Sequence, residues 1–129
     1  MLNRLKNFFS QDKQVLITNK IEYSDFCFLK QIYQGKKLKL VTLGKSMWPT
    51  IKENQTVEIE VISSIKIKDK IKKNTIIAFY YQPQGVIAHR VVEIRRKGNN
   101  FYYQTKGDNI DSKDLILISP NDILGIVLV

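Results

Sequence analysis

Thr75-Ile76-Ile77-Ala78-Phe79-Tyr80-Tyr81, then Gln82-Pro83-Gln84-Gly85, then Val86-Ile87-Ala88-His89-Arg90-Val91-Val92, form two runs of aliphatic and aromatic residues on either side of a proline-glycine turn. Ile, Val, Tyr and Phe suit a pleated, half-buried surface, and Pro83 and Gly85 suit a chain reversal. The stretch predicts a hairpin with strands at 75–81 and 86–95. Similar runs stand at 37–43, 56–62, 100–105 and 123–129, separated by turn chemistry at Glu53-Asn54, Lys73-Asn74, Gly98-Asn99-Asn100 and Gly107-Asp108-Asn109. Six short strands without helical spacing between them predict a mainly β domain, built as coiled antiparallel sheets or a partly open β-barrel.

Upstream the spacing is helical. Phe26, Leu29, Ile32 and Tyr33 share one face, Ser24 is placed to cap the start and Gly35 to end it. The expected organisation is an N-terminal helical segment, 1–36, packed on a β domain, 37–129, with Cys27 and Phe28 in the core. In residues 1–9, Leu2, Leu5, Phe8 and Phe9 interleave with Arg4 and Lys6, a pattern that suits either a membrane interface or docking on the domain.

At 129 residues and 43% hydrophobic composition, the chain is long enough to bury a core without disulfides or metal. No uncharged apolar run reaches the roughly 18 residues of a membrane-spanning helix. The start of the chain lacks the apolar core of a secretory signal, and one cysteine cannot form an intrachain disulfide. A cytoplasmic location, or one peripheral at a membrane, is expected. The net charge of +9 comes mostly from lysine, 17 of 21 basic residues, alongside 18 isoleucines and 9 asparagines. Base and phosphate readout leans on arginine, so nucleic acid is not the expected partner. The run Lys66 to Lys73 reads as a solvated loop or a lysine-protected strand edge.

Three stretches carry candidate chemistry. Gly44-Lys45-Ser46-Met47-Trp48-Pro49-Thr50 places a serine where the strand 37–43 ends and turns. His89 is the one histidine, and strand alternation puts it with Ile87 and Val91, opposite Ala88 and Arg90. A serine hydroxyl needs an adjacent base, and imidazole is the side chain best matched to that task near neutrality. A third group usually orients the base. Carboxylates for it cluster in Thr105-Lys106-Gly107-Asp108-Asn109-Ile110-Asp111-Ser112-Lys113-Asp114. A calcium loop there is rejected, because the central glycine and the closing glutamate are missing. No cofactor or metal is expected.

Taken in order, Gly44-x-Ser46-Met47-x-Pro49-Thr50-Ile51, His89-Arg90-Val91-Val92, Thr105-Lys106-Gly107-Asp108-Asn109 with Asp114, and Ile123-Leu124-Gly125-Ile126-Val127 resemble the signal peptidase I superfamily, which includes the self-cleaving SOS repressors. The resemblance runs from about residue 38 to 129. Bacterial signal peptidases and the repressors carry a lysine before the arginine. A histidine there is similar to the archaeal, endoplasmic-reticulum and some Gram-positive sporulation-type enzymes.

The resemblance implies the signal-peptidase type of β domain, with Ser46 as nucleophile, His89 as general base, and Asp108 or Asp114 beside the imidazole. It also implies oxyanion donors from the backbone N–H groups of Ser46 and Lys45, with Met47 and Trp48 bordering the substrate groove or packing beneath it. Lys106 is given a structural or surface role. The implied activity is serine endopeptidase cleavage of a signal or leader peptide, bound in extended form, after small residues at the first and third positions before the cut. A non-catalytic or self-cleaving regulatory module of the repressor type is the alternative. Three departures accompany this: Asn54-Gln55 and Asn74-Thr75 replace the usual Gly-Asp turns, Gly44 stands where signal peptidases often place a hydroxyl, and no membrane anchor is seen.

Overall fold

The structure is a computed structural model and describes residues 16–129, so the amphipathic pattern at residues 1–9 lies outside it. The run Ile76–Tyr81 is a central strand, and its continuous apolar sequence has a simple cause. Ile76 and Ala78 belong to one core, and Ile77 and Phe79 to a second core on the opposite face. A strand buried on both faces loses the polar half of the alternating pattern.

In chain order the elements are β1 (Leu16–Ile17), α1 (Tyr23–Ile32), β2 (Lys37–Val41), β3 (Thr56–Val61), a short helix α2 (Ile67–Lys70), β4 (Ile76–Tyr81), β5 (Gly85–Lys97), β6 (Asn100–Lys106) and β7 (Ile123–Leu128). They make one open, seven-stranded sheet in the order β1-β2-β3-β7-β4-β5-β6. All pairings are antiparallel except β1 with β2, so the sheet is mixed. The expected mainly β class is what the molecule has. The expected six strands lack β1, which is too short to show any periodicity.

Two close backbone approaches in the molecule exclude side chains. A Cβ on Gly125 would fall onto the Glu60 carbonyl of β3, and one on Gly85 onto the carbonyl of Asn19. The second approach is a bond: Val86 N–H donates to Asn19 O at 2.7 Å, holding the segment before α1 against the start of β5.

Helix α1 differs from its expected face. It begins at Tyr23, with Glu22 at the N-cap position and no side-chain cap bond. Phe26 and Leu29 are fully buried and Tyr33 packs at the edge, but Ile32, Cys27 and Phe28 are exposed. The helix buries one stripe, Phe26 and Leu29, in the first core and leaves Cys27, Phe28 and Ile32 to solvent. Lys30 is buried instead, donating from Nζ to the carbonyl oxygens of Ile62, at 2.9 Å, and Ile123. The lysine-rich run also differs from a solvated loop: it holds α2, whose Ile67, with Ile71 after it, anchors the second core. Among the described residues, no helix is long and apolar enough to cross a membrane.

Candidate active site

The serine stretch is a loop leaving β2. Its base is tied where Thr42 N–H donates to Gln55 O at 2.9 Å and Asn54 N–H to Thr42 O at 3.0 Å. Asn54 takes a positive φ of 64°, and Asn74 one of 79°, which asparagine tolerates better than most side chains. At the loop's start Gly44 has φ 77°, a left-handed conformation that explains glycine there. Met47 and Ile51 are buried in the first core, and Ile51 N–H donates to Met47 O at 2.9 Å. Burying Met47 leaves its neighbour Ser46 half-buried at the rim.

His89 enters from β5, paired in register with Ile77 of β4. Its ring lies edge-on to Phe79, 6.1 Å between centroids. Nε2 is 3.1 Å from Ser46 Oγ, and Nδ1 is 2.6 Å from Asp114 Oδ2. Asp114 Oδ2 also accepts from the Thr105 hydroxyl at 2.6 Å. Burial pushes the Asp114 carboxyl up, but the hydrogen bonds from His89 and Thr105, with the His89 charge, outweigh it and leave it below the ordinary aspartate value. An ionised carboxylate only accepts hydrogen bonds, so Nδ1 carries the proton. In the neutral ring Nε2 then presents its lone pair to the serine hydroxyl.

Asp108 stands elsewhere. Alternation along β5 turns Arg90 away from His89, and Asp108 receives Arg90 Nε at 2.9 Å and Nη2 at 2.8 Å in a two-pronged pair. Thr50 adds its hydroxyl at 2.7 Å. The Arg90 hydrogen bonds hold the Asp108 carboxyl below its usual range against the opposing effect of burial. Asp108 N–H donates to Met47 Sδ at 3.3 Å. Of the two aspartates proposed for the imidazole, the structure brings Asp114 to it and sets Asp108 to bind the turn to the serine loop. Among the described residues, Lys106 Nζ donates to its neighbour's carbonyl, Gly107 O, at 3.1 Å.

The turn grips the serine loop through carbonyls. Asn109 N–H donates to Ser46 O at 2.7 Å and Asn109 Nδ2 to Lys45 O at 3.1 Å. In a trans peptide the N–H points opposite to the preceding carbonyl. The Ser46 N–H therefore points away from Asn109.

Ser46, His89 and Asp114 line a cavity of about 500 Å³, with Leu40, Met47, Ile51, Val86 and Ala88 as its apolar wall. Asn19 and Gln84 also line it. Met47 borders this cavity. Trp48 does not: it is half-exposed beside Lys45, Lys52 and Asn109, over a separate hollow. Among the described residues, no group of three His, Cys, Asp or Glu side chains is placed to hold a metal ion.

Thr105, Thr50 and the Arg90–Asp108 pair were not singled out by motif reading. One signal was available for Thr105: alternation along β6 sends it inward with Tyr103, a hydroxyl where an apolar residue would otherwise be expected.

A hydroxyl, an imidazole and a carboxylate in one hydrogen-bonded series can raise the nucleophilicity of the hydroxyl. Here the series stands on an open, mainly β sheet, at the rim of the cavity. Over 89 residues the chain is 28% identical to signal peptidase I W of Bacillus subtilis (strain 168), a stretch covering 69% of this chain and 45% of that protein. The chain thus spans under half the length of this relative. No protein-family model matches it.

Proposed function

We propose that the chain is a serine endopeptidase of the signal-peptidase type, cleaving a signal or leader peptide bound in extended form. The observation that carries this is the series Ser46 Oγ, His89 Nε2, His89 Nδ1 and Asp114 Oδ2, with links of 3.1 Å and 2.6 Å. The distant similarity to a signal peptidase supports the same reading.

Ser46 Oγ attacks the carbonyl carbon of the scissile bond while Nε2 takes the hydroxyl proton. Asp114 balances the resulting imidazolium through Nδ1–H. The carbonyl oxygen gathers negative charge, and the N–H groups of Ser46 and Lys45 are the donors assigned to it; neither has a carbonyl partner among the described residues. Nε2–H then protonates the leaving amine as the C–N bond breaks. Water, deprotonated by the same nitrogen, hydrolyses the ester on Ser46 and restores the hydroxyl. The substrate lies as an added extended strand, its side chains entering the apolar cavity beside Met47 and Ala88.

Wild type, Ser46→Ala and His89→Ala are incubated with peptides bearing a small-x-small site, and the products are weighed by mass spectrometry. Cleavage by wild type alone is the expected outcome. Processing that survives both substitutions would overturn the reading.

A further inference from the structure

We propose that Thr105 is the positioning residue of this site: its side-chain hydroxyl holds the Asp114 carboxylate in the orientation that His89 requires. The inference rests on the proposed roles of Ser46 and His89, and it starts from where Asp114 sits in the chain. On one side of it Asp111, Ser112 and Lys113 are exposed, and on the other Leu115, Ile116 and Leu117 are exposed. Neither flank packs into a core that would fix the aspartate. A loop carboxylate of this kind would ordinarily turn towards water.

Two bonds to one residue hold it. Asp114 N–H donates to Thr105 O at 2.8 Å, and the Thr105 hydroxyl donates to Asp114 Oδ2 at 2.6 Å. The first fixes the backbone of Asp114 and the second fixes its side chain. Oδ2 is also the oxygen that receives His89 Nδ1, at 2.6 Å, so the hydroxyl and the imidazole converge on a single atom. Thr105 is fully buried in β6, and β6 is the neighbour of the β5 strand that carries His89. The sheet therefore sets the distance between hydroxyl and imidazole, while the loop supplies only the carboxylate between them. With no water reaching the hydroxyl, it has little alternative to its carboxylate acceptor. The same donor helps keep Asp114 ionised despite its burial.

The test separates the hydroxyl from the methyl group. Thr105→Val keeps the branched shape and loses the donor; Thr105→Ser keeps the donor and loses the methyl. Both retain the backbone carbonyl that Asp114 N–H uses. Thr105→Val is expected to lower kcat by about tenfold to a hundredfold, the range of one hydrogen bond to a charged acceptor, with KM little changed. Thr105→Ser should stay near wild type. In the Asp114→Asn background, Thr105→Val should add little further loss, because the two act as one unit.

A second readout does not depend on catalysis. His89 is the one histidine in the chain, so its Nδ1 proton can be followed by NMR without ambiguity. A downfield, slowly exchanging Nδ1 proton is expected in wild type and Thr105→Ser, and its loss in Thr105→Val and Asp114→Asn. A retained resonance with undiminished kcat in Thr105→Val would overturn the proposal, as would Thr105→Ser impaired as much as Thr105→Val. If no peptide is cut but the resonance responds as described, the peptidase reading fails and the positioning role stands. If cleavage requires Ser46 while Thr105→Val is neutral, the positioning role alone fails.

Discussion

Gly107→Ala is a minimal perturbation aimed at the contact between the Lys106–Ile110 turn and the serine loop. A Cβ at residue 107 would lie 2.7 Å from Ser46 O and 3.1 Å from both Ser46 Cβ and Ile110 Cδ1. Ordinary carbon contacts begin at 3.4 Å, so the turn and the loop must part by more than half an ångström. Neither is free to move. Ser46 O is held by Asn109 N–H at 2.7 Å, and Met47 behind it is packed in the core. Overpacking of this type costs about 1–3 kcal/mol. The same displacement acts on Ser46 Oγ, whose 3.1 Å approach to Nε2 leaves little slack. Misplacing a reacting group by about 1 Å costs on the order of a hundredfold, so a smaller shift should lower kcat by about tenfold. Urea denaturation gives the stability change, and cleavage of a small-x-small peptide gives the rate. Gly98→Ala is the control, because its Cβ would meet nothing within 4 Å and its φ of 65° adds only backbone strain. A Gly107→Ala protein with wild-type stability and rate, or one no worse than Gly98→Ala, would refute the reasoning.

Two further outcomes follow from ionisable side chains. Asp108→Asn should lower stability at neutral pH by about 1–2 kcal/mol, since it weakens a partly solvated, two-pronged bond to Arg90. Because the folded-state pKa of Asp108 is depressed, its contribution is present above the ordinary aspartate pKa, about 3.9, and is lost as pH falls through the lower folded value. The gap between wild type and Asp108→Asn in urea midpoints should therefore close below about pH 4. Lys30 gives a slope of the same sign at higher pH and from a different cause: burial lowers its pKa to about 8, with Asp122 opposing in part. Between about 8 and the unfolded value of 10.5 the unfolded chain binds the extra proton, so this group makes stability rise with pH. Lys30→Met should remove that rise, measured between pH 7.5 and 9.5 by urea midpoints, and an unchanged slope would count against a buried, proton-shedding lysine.

Much of the sheet was legible because strand signals are local. The runs 75–81 and 86–95 and the Pro83-Gln84-Gly85 turn became β4, β5 and their hairpin, with strand ends moved by one or two residues. Turns at Asn54 and Asn74 carry the positive φ that asparagine tolerates. The face of α1 was less legible. Helical spacing identifies neighbours on a surface but not how much of that surface the sheet covers, so Ile32 and Phe28 were placed inward and Lys30 was missed. Lys30 is buried because two strand-end carbonyls from distant parts of the chain meet its ammonium group.

By itself, the sequence determined the β class, the order of the candidate residues and the face of β5 that carries His89. Each depends on period, turn chemistry or residue type within a short window. Only the tertiary structure decided the partners. Ser46 and His89 are 43 positions apart and Asp114 a further 25, and their meeting depends on the loop plugged by Met47, the pairing of β5 with β4, and the clamp from β6. The choice between the two aspartates has the same origin. His89 and Arg90 point to opposite faces of one strand, so the carboxylate that reaches Arg90 is turned away from the imidazole, and Asp114 is left to serve it.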